Sequence, residues 1–254
     1  MQLEIATISK TGGRKVNEDA CDYWSSSTVS CYVLSDGLGG HFGGDVASKL
    51  VLRSIRDEFL RSPECSIHAI ESLLHAGDDA IIQEQQRNNE LKHMRATAVV
   101  LIVDTARHLA TWGHIGDSRL YCFRKDRIVS QTRDHSVSQN MVDAGYLKPE
   151  ELRLSSNRNQ LYAALGNSDH FQMDISPVVF SIGDGDVFLM CSDGLWEYVE
   201  ESEMESTLSS SVSVSEWIEI LEKKVIMRGH NKQDNYSAIA VWCSDSEEKT
   251  LFPM

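Results

Sequence analysis

The chain has 254 residues, of which 41% are hydrophobic and 24% are charged, and its formal net charge is −14. These proportions are typical of a folded globular protein and exclude an extended disordered chain. An anionic surface is repelled by a phosphate backbone, so we expect no nucleic-acid partner.

The sequence carries no signal for export or for membrane insertion. Residues 1–15 contain no apolar core of a signal peptide. The longest uninterrupted apolar run covers only Ala98 to Val103, which is too short to cross a bilayer. The 6 cysteines are scattered without a C-x-x-C pair. This pattern favours reduced thiols, no zinc site and a cytoplasmic location without membrane contact.

The first part of the chain predicts two strands followed by two helices. Residues 3–9 and 29–35 are rich in strand-forming residues, and the second strand ends at the turn pair Asp36-Gly37. A helix is predicted from Asp45, as its N-cap, to residue 61. Its apolar residues recur at every fourth position: Ala47, Val51, Ile55 and Phe59. A second helix is predicted over residues 66–91.

The middle of the chain has the spacing of an antiparallel meander. Tight turns separate the predicted strands 97–104, 107–115, 118–124 and 127–132. Residues 134–165 are more polar and less regular, with helices predicted near 136–144 and 149–153.

The last part of the chain combines strands with one capped helix. Strands are predicted over 171–180, 186–192 and 236–243. A helix is predicted over 214–228, because Ser213 and Glu216 have the spacing of a capping box. Helices and mostly antiparallel strands in separate groups predict an α+β fold, and we interpret residues 1–254 as one domain.

Acidic residues stand beside glycine or asparagine at the ends of apolar strands. The sites are Asn17-Glu18-Asp19, Ser35-Asp36-Gly37, Gly116-Asp117-Ser118-Arg119, Ser192-Asp193-Gly194 and Gln233-Asp234-Asn235. Each one alone is an ordinary turn sequence. Together they offer the oxygen ligands that Mg²⁺ and Mn²⁺ prefer. Two such cations sharing a carboxylate would make hydroxide available near neutral pH, which is the chemistry of a hydrolase.

Two other catalytic patterns are excluded. The sequence lacks the G-x-S-x-G motif of a serine nucleophile. The glycine-rich stretch 37–44 has Phe42 where a dinucleotide motif needs glycine, and no Gly-Lys-Ser/Thr follows. We interpret these glycines as allowing close approach of the backbone to a metal and to the helix that follows.

Seven motifs, in order, resemble the PPM, or protein phosphatase 2C-type, family of metal-dependent serine/threonine phosphatases in its bacterial form. They are Gly13-Arg14-Lys15-Val16-Asn17-Glu18-Asp19, Ser35-Asp36-Gly37-Leu38-Gly39-Gly40-His41, Gly116-Asp117-Ser118-Arg119, Thr132-Arg133-Asp134-His135-Ser136, Ala164-Leu165-Gly166, Ser192-Asp193-Gly194-Leu195-Trp196 and Asp234-Asn235. The resemblance implies a four-layer sandwich of two antiparallel sheets flanked by helices, with a site for two metal ions at one edge.

The resemblance also implies the ligands of the two ions, which would be Mn²⁺ or Mg²⁺. Asp36 would bridge both ions, and the carbonyl of Gly37 would bind one of them. Glu18 would bind the second ion, whereas Asp193 and Asp234 would bind the first. Asp36 and Asp193 would therefore be essential for catalysis.

Further roles are implied around these ligands. Asp19 would act in the second shell or through water, and Asp117 would bind a possible third, weaker ion. Arg14 would hold the substrate phosphate, because a guanidinium matches the geometry of phosphate oxygens. Residues 134–165, called the flap here, would be a mobile segment that influences substrate choice.

The sequence departs from the family pattern at two places. Leu38 stands where the animal enzymes have a histidine that is a candidate general acid. His41, three residues later, is interpreted as structural, as are His114 and His135. The flap reads Leu154-Ser155-Ser156-Asn157-Arg158-Asn159, where bacterial relatives often have His-Pro before a similar Arg-Asn.

We therefore predict a phosphatase of phosphoserine and phosphothreonine in proteins, acting as a monomer that counters a bacterial serine/threonine kinase. The predicted partner is a phosphoprotein, either the kinase or its target. One alternative is a non-catalytic regulatory protein with the same fold. Another is a phosphatase for phosphotyrosine or for a regulatory phosphoprotein of another type.

Overall fold

Two antiparallel β-sheets form the centre of the computed structural model, which describes residues 1–39, 43–167, 171–229 and 233–245. The predicted α+β class is confirmed. The strands β1 to β12 are, in chain order, Gln2–Lys10, Asp19–Ser26, Val29–Leu38, Arg95–Ala96, Ala98–Asp104, Leu109–Ile115, Arg119–Arg124, Arg127–Gln131, Asp174–Ile175, Phe180–Ser181, Val187–Cys191 and Tyr236–Ser244.

The order of the strands brings distant parts of the chain together. One sheet has the order β1-β12-β11-β7-β8, and the other has the order β10-β6-β5-β3-β2, with β4 on β3 and β9 on β6. Alternate side chains of a strand point to opposite faces of a sheet. Thus Tyr32 and Leu34 pack against the facing sheet, whereas Val33 packs against the helices. The core between the sheets contains Phe188 and Ile239 from the first sheet.

Helices cover the outer faces of both sheets. They are α1 to α6, over Gly44–Arg61, Ile67–Arg87, Val137–Asp143, Asp193–Trp196, Glu201–Leu208 and Val214–Arg228, with 3-10 turns over Asn89–Leu91 and Pro149–Leu154. Helices α1 and α2 pack on the sheet that contains β3, and α4 to α6 pack on the sheet that contains β11. The molecule thus has four layers, as the resemblance implied.

Most predicted helices are confirmed, with changes at their ends. The four apolar residues at every fourth position of α1 are buried, as predicted. The predicted N-cap was wrong, because α1 begins at Gly44 after Gly43, and Asp45 lies within the first turn. In α6 the side chain of Ser213 accepts the N–H of Glu216, as expected for its cap.

The structure differs from the sequence-based prediction at three strands and one helix. Strand β3 continues to Leu38, beyond its predicted end at 35, because Gly37 and Leu38 pair with β4. The predicted strand 171–180 is two short pieces, with Pro177 between them lacking an N–H donor. Strand β2 and helix α5 were not predicted, because their sequences are mostly polar and packing against neighbours decides their structure.

In the described ranges, no helix combines the length and the apolar character that crossing a membrane requires. His41 and the charged tail after 245 lie outside these ranges, so the interpretation of His41 stays a prediction.

Candidate metal centre

The predicted acidic residues gather at one edge of the sandwich. Asp19 begins β2 and lies opposite Asp36 in the pairing of β2 with β3. Asp193 follows β11 and Asp234 precedes β12, and these two strands also pair antiparallel. Asp117 lies in the turn that joins β6 of one sheet to β7 of the other. The candidate site therefore receives carboxylates from both sheets.

The electrostatics of this edge are those of crowded anions. Removal from water raises the pKa of Asp36 well above its usual range, and the negative charges of Asp19, Asp193, Asp117 and Asp234 raise it further. Burial, more than any neighbour, raises the pKa of Asp19 to about 6 and that of Asp117 to about 7. Such repulsion is relieved by a cation.

Among the described residues, two buried carboxylate oxygens at this edge have no hydrogen-bond donor. They are Oδ1 of Asp19 and Oδ1 of Asp193, and both residues are less than a tenth exposed. The other oxygen of Asp19 accepts the hydroxyl of Ser192 at 2.7 Å. A buried charged oxygen without a partner is costly. Divalent cations with oxygen ligands fit this donor set.

A second pair of predicted ligands surrounds Gly44. A Cβ atom at this position would lie 2.5 Å from Oε1 of Glu18 and 2.8 Å from the carbonyl oxygen of Gly37. A side chain at Gly37 would in turn overlap the carbonyl of Gly44. Both glycines are needed, because the start of α1 approaches the end of β3 backbone to backbone. The space left by the missing side chain is bordered by two of the oxygens that the sequence predicts as metal ligands.

Arg14 lies at the outer rim of this edge. Its guanidinium contacts Oδ2 of Asp234 at 2.6 Å and is about half exposed. Asn235 holds the preceding loop, because its amide donates to the carbonyls of Thr11 and Val16 and its oxygen accepts the N–H of Glu18. Arg14 and Glu18 are therefore placed by the residue that follows Asp234.

Thr97 connects the end of β3, which carries Asp36, with the loop that carries Asp117. Its N–H donates to the carbonyl of Asp36 at 2.8 Å, and the N–H of Asp36 donates to the Thr97 hydroxyl oxygen at 2.9 Å. The same hydroxyl lies 2.7 Å from that of Ser118, and Ser35 donates to the Thr97 carbonyl at 2.7 Å. Thr97 is fully buried. It is a positioning residue that the sequence analysis missed, because these contacts join residues far apart in the chain.

We expect Thr97→Val to weaken Mn²⁺ binding by about 10-fold or more and to lower the free energy of unfolding by about 1–3 kcal/mol. The substitution keeps the shape but leaves the N–H of Asp36 unpaired. Isothermal titration with Mn²⁺ and urea unfolding measure the two effects. Thr111→Val is the matched control, because the buried hydroxyl of Thr111 has no hydrogen-bond partner among the residues that the structure describes. Equal effects of the two substitutions would contradict the positioning role.

Glu197 is a further acidic residue that the sequence analysis missed. Its charge adds to the burial that raises the pKa values of Asp193 and Asp117. The sequence could have indicated Glu197, because it follows Asp193 by four residues, about one helical turn, which places the two side chains on the same face of a helix. In the structure its carboxylate pairs with the guanidinium of Arg158 from the flap.

One buried and one partly exposed ion pair anchor the flap beside the site. Asp134, its first residue, accepts two hydrogen bonds of 2.8 Å from Arg119. The Arg119 guanidinium lies 3.6 Å above the ring of Trp196, whose Nε1–H donates to the carbonyl of Asp117 at 2.9 Å. Arg153 pairs with Glu201 at 2.5 Å. The flap is thus connected to the loop of Asp117 through Trp196.

His114, His135 and Asp174 form a second group of potential metal ligands. The N–H of Gly116 donates to Nδ1 of His135, so the ring proton is assigned to Nε2, which faces Asp174 at 3.3 Å. Nε2 of His114 bonds the carbonyl of Arg133 at 2.7 Å. These contacts hold both imidazole rings in place, as a scaffold role requires, although among the described residues Nε2 of His135 has no hydrogen-bond partner.

Comparisons with known proteins bear on this site. The family model described as Protein phosphatase 2C matches residues 9–230. The serine/threonine phosphatase stp of Listeria innocua is 28% identical over 214 residues, which are 82% of each chain. The crystal structure of the serine/threonine phosphatase Stp1 from Staphylococcus aureus has a TM-score of 0.85 at 27% identity, covering 96% of each chain.

A further similar structure contains metal. It is the catalytic domain of the serine/threonine protein phosphatase PstP in complex with 2 manganese ions. Its TM-score is 0.79 at 27% identity, and the match covers 96% of this chain and 99% of that one.

Proposed function

We propose a mechanism for this chain on the premise that it belongs to the protein phosphatase 2C family. It is a metal-dependent protein serine/threonine phosphatase, and its substrates are phosphoproteins. The observation that carries the mechanism is the set of buried carboxylates from both sheets, two of which have an oxygen without a donor in the described part of the chain. Arg14 lies beside them with its guanidinium half exposed.

The residues proposed to hold the metal ions are those at this edge. Asp36 would be shared by two ions, with Glu18 and the Gly37 carbonyl on one side and Asp193 and Asp234 on the other. When bound, such cations act as Lewis acids toward a phosphoryl group and lower the pKa of the water that they bind. Manganese in a similar structure supports Mn²⁺ as an occupant.

Two more acidic residues complete the proposed metal assignment. Asp19, held by Ser192, would contact the ions indirectly, through water. Asp117, together with Glu197, would hold a possible third ion. The count of two or three ions is part of this proposal.

The remaining groups bind and orient the substrate. Arg14 presents a planar pair of N–H donors to phosphoryl oxygens, and its ion pair with Asp234 keeps it directed along the rim. We propose direct attack by water without a phosphoenzyme. Five of the six cysteines are buried, and burial raises the pKa of Cys21, the sixth, to about 12, so none supplies a thiolate.

The test of function is hydrolysis of phosphoserine, phosphothreonine and phosphotyrosine peptides by the purified protein with Mn²⁺ or Mg²⁺. We expect turnover of the first two peptides and no ³²P-labelled protein after rapid quenching. Preference for phosphotyrosine would change the substrate class. Absence of turnover in folded, metal-loaded protein would favour the regulatory-binding alternative.

The remaining proposals concern the domain organisation, the location and the cellular role of the protein. We propose that the chain is a single phosphatase domain that acts in the cytoplasm as a monomer, and that it reverses the action of a serine/threonine kinase. The flap would influence substrate choice, because it is anchored to the loop of Asp117 through Trp196.

A further inference from the structure

A cleft of 480 Å³ lies between the end of β3 and the C-terminal part of the flap. Leu38 and Gly39 line one side, and Asn159 and Leu161 of the flap line another. The charged side chain in its described wall is that of Arg95, the wall also contains His93, and among the described residues no carboxylate lines it. The cleft therefore differs in charge from the acidic edge beside it.

The position of Arg95 relates the cleft to the candidate metal centre. Arg95 lies opposite Leu38 in the pairing of β4 with β3, and its neighbour Ala96 lies opposite Gly37. Leu38 follows Asp36 by two residues on the same strand, a separation of about 7 Å. In an extended substrate peptide, residues two positions apart are separated by the same distance. A substrate peptide lying along β3 with its phosphoresidue at Asp36 would therefore place the side chain two residues away at the cleft.

Arg95 also differs from the other arginines around the site. Arg14 is paired with Asp234, and Arg158 is paired with Glu197. Arg95 is exposed, and within the described ranges no carboxylate lies at ion-pair distance from it. In a protein of net charge −14, such a cation in a cleft favours binding of an anion.

We propose that this cleft binds an anionic side chain of the substrate, two residues from the phosphoresidue, through Arg95. The amide of Asn159 offers a further hydrogen-bond donor from the flap side. The anion is a carboxylate or a second phosphate, since both match a guanidinium. This inference rests on the proposed phosphatase function, and it makes acidic or doubly phosphorylated segments the preferred substrates.

The test compares phosphothreonine peptides that carry Glu, phosphoserine, Ala or Lys at both positions two residues from the phosphothreonine. The readout is the ratio of kcat/KM between an anionic peptide and the Lys peptide, so that a general loss of activity cancels. For the wild type we expect a ratio of about 5, the upper range for an ion pair that water can reach. Arg95→Glu should bring it below 1, chiefly through KM.

Arg53→Glu on the exposed side of α1 is the matched control, because it changes the net charge equally away from the cleft. It should leave the ratio unchanged. A wild-type ratio near 1, or equal ratios in the wild type and Arg95→Glu, would overturn the cleft proposal while the phosphatase function stands. Failure of the wild type to hydrolyse any of the peptides would instead overturn the function itself. A higher ratio for Glu than for phosphoserine identifies the carboxylate as the preferred anion.

Discussion

Asp36→Asn is expected to lower kcat on a phosphothreonine peptide by at least about 10³-fold, the size of effect seen when a central electrostatic group is removed from an active site. An amide is neutral and cannot serve two cations as a carboxylate does. The same substitution should stabilise the metal-free protein, because it removes one of the charges that repel each other at this edge. Each kcal/mol gained raises Tm by about 2–4 °C in a chain of this size.

Two measurements on Asp36→Asn separate these effects. Steady-state kinetics with saturating Mn²⁺ reports the loss of turnover, and calorimetry with EDTA reports Tm. Asp79→Asn on the exposed side of α2 makes the same chemical change away from the site and should alter neither quantity. Near-normal turnover by Asp36→Asn would refute the assignment of Asp36. An unchanged Tm in EDTA would refute the repulsion between these carboxylates.

Removal of metal by EDTA should abolish hydrolysis and also lower stability, and Mn²⁺ should restore both. A ligand that binds only the folded state stabilises it by about 2.7 kcal/mol at 100 times its Kd. The loss of stability should be larger at pH 8 than at pH 5. The carboxyls of Asp19 and Asp117 have folded-state pKa values of about 6 and 7, above the unfolded values. The metal-free folded state therefore binds more protons than the unfolded state, and its stability falls as the pH rises through this range.

Differential scanning calorimetry with and without Mn²⁺ at the two pH values measures this difference. Comparing the two metal states at each pH cancels titrations elsewhere, such as that of Glu203, whose pKa its ion pair with Arg228 lowers to about 2. An equal Tm loss at both pH values would contradict the crowding of these carboxylates. Turnover that persists in protein shown by elemental analysis to be metal-free would contradict the metal-dependent mechanism.

The residues of the site were predictable where they stand in local patterns. Ser-Asp-Gly-Leu forms the end of β3 and occurs again directly after β11, so a short sequence window contains both the strand and the carboxylate. The four-layer arrangement was implied by the order of such motifs. Thr97 could not be identified in this way, because the sequence around it is typical of any buried strand and its partners lie 61 and 21 residues away.

The same reason explains the other omissions. Strand β2 is mostly polar, and it is a strand because it pairs with β3 along its whole length. The pairing of Arg158 with Glu197 joins the flap to α4 across 39 residues. Charged residues are common on protein surfaces, so the sequence alone does not show which arginine and which glutamate form an ion pair.

The acidic edge draws its carboxylates from both sheets, and this gives metal binding a second meaning. Under the proposed assignment, cations bound there would also hold the two sheets together, so metal affinity and the docking of the sheets would be thermodynamically linked, and linkage is reciprocal. A substitution that loosens the apolar layer between the sheets, around Phe188 and Ile239, would then weaken metal binding although no ligand has changed. A measured change in Mn²⁺ affinity would therefore report a change in the packing between the two sheets.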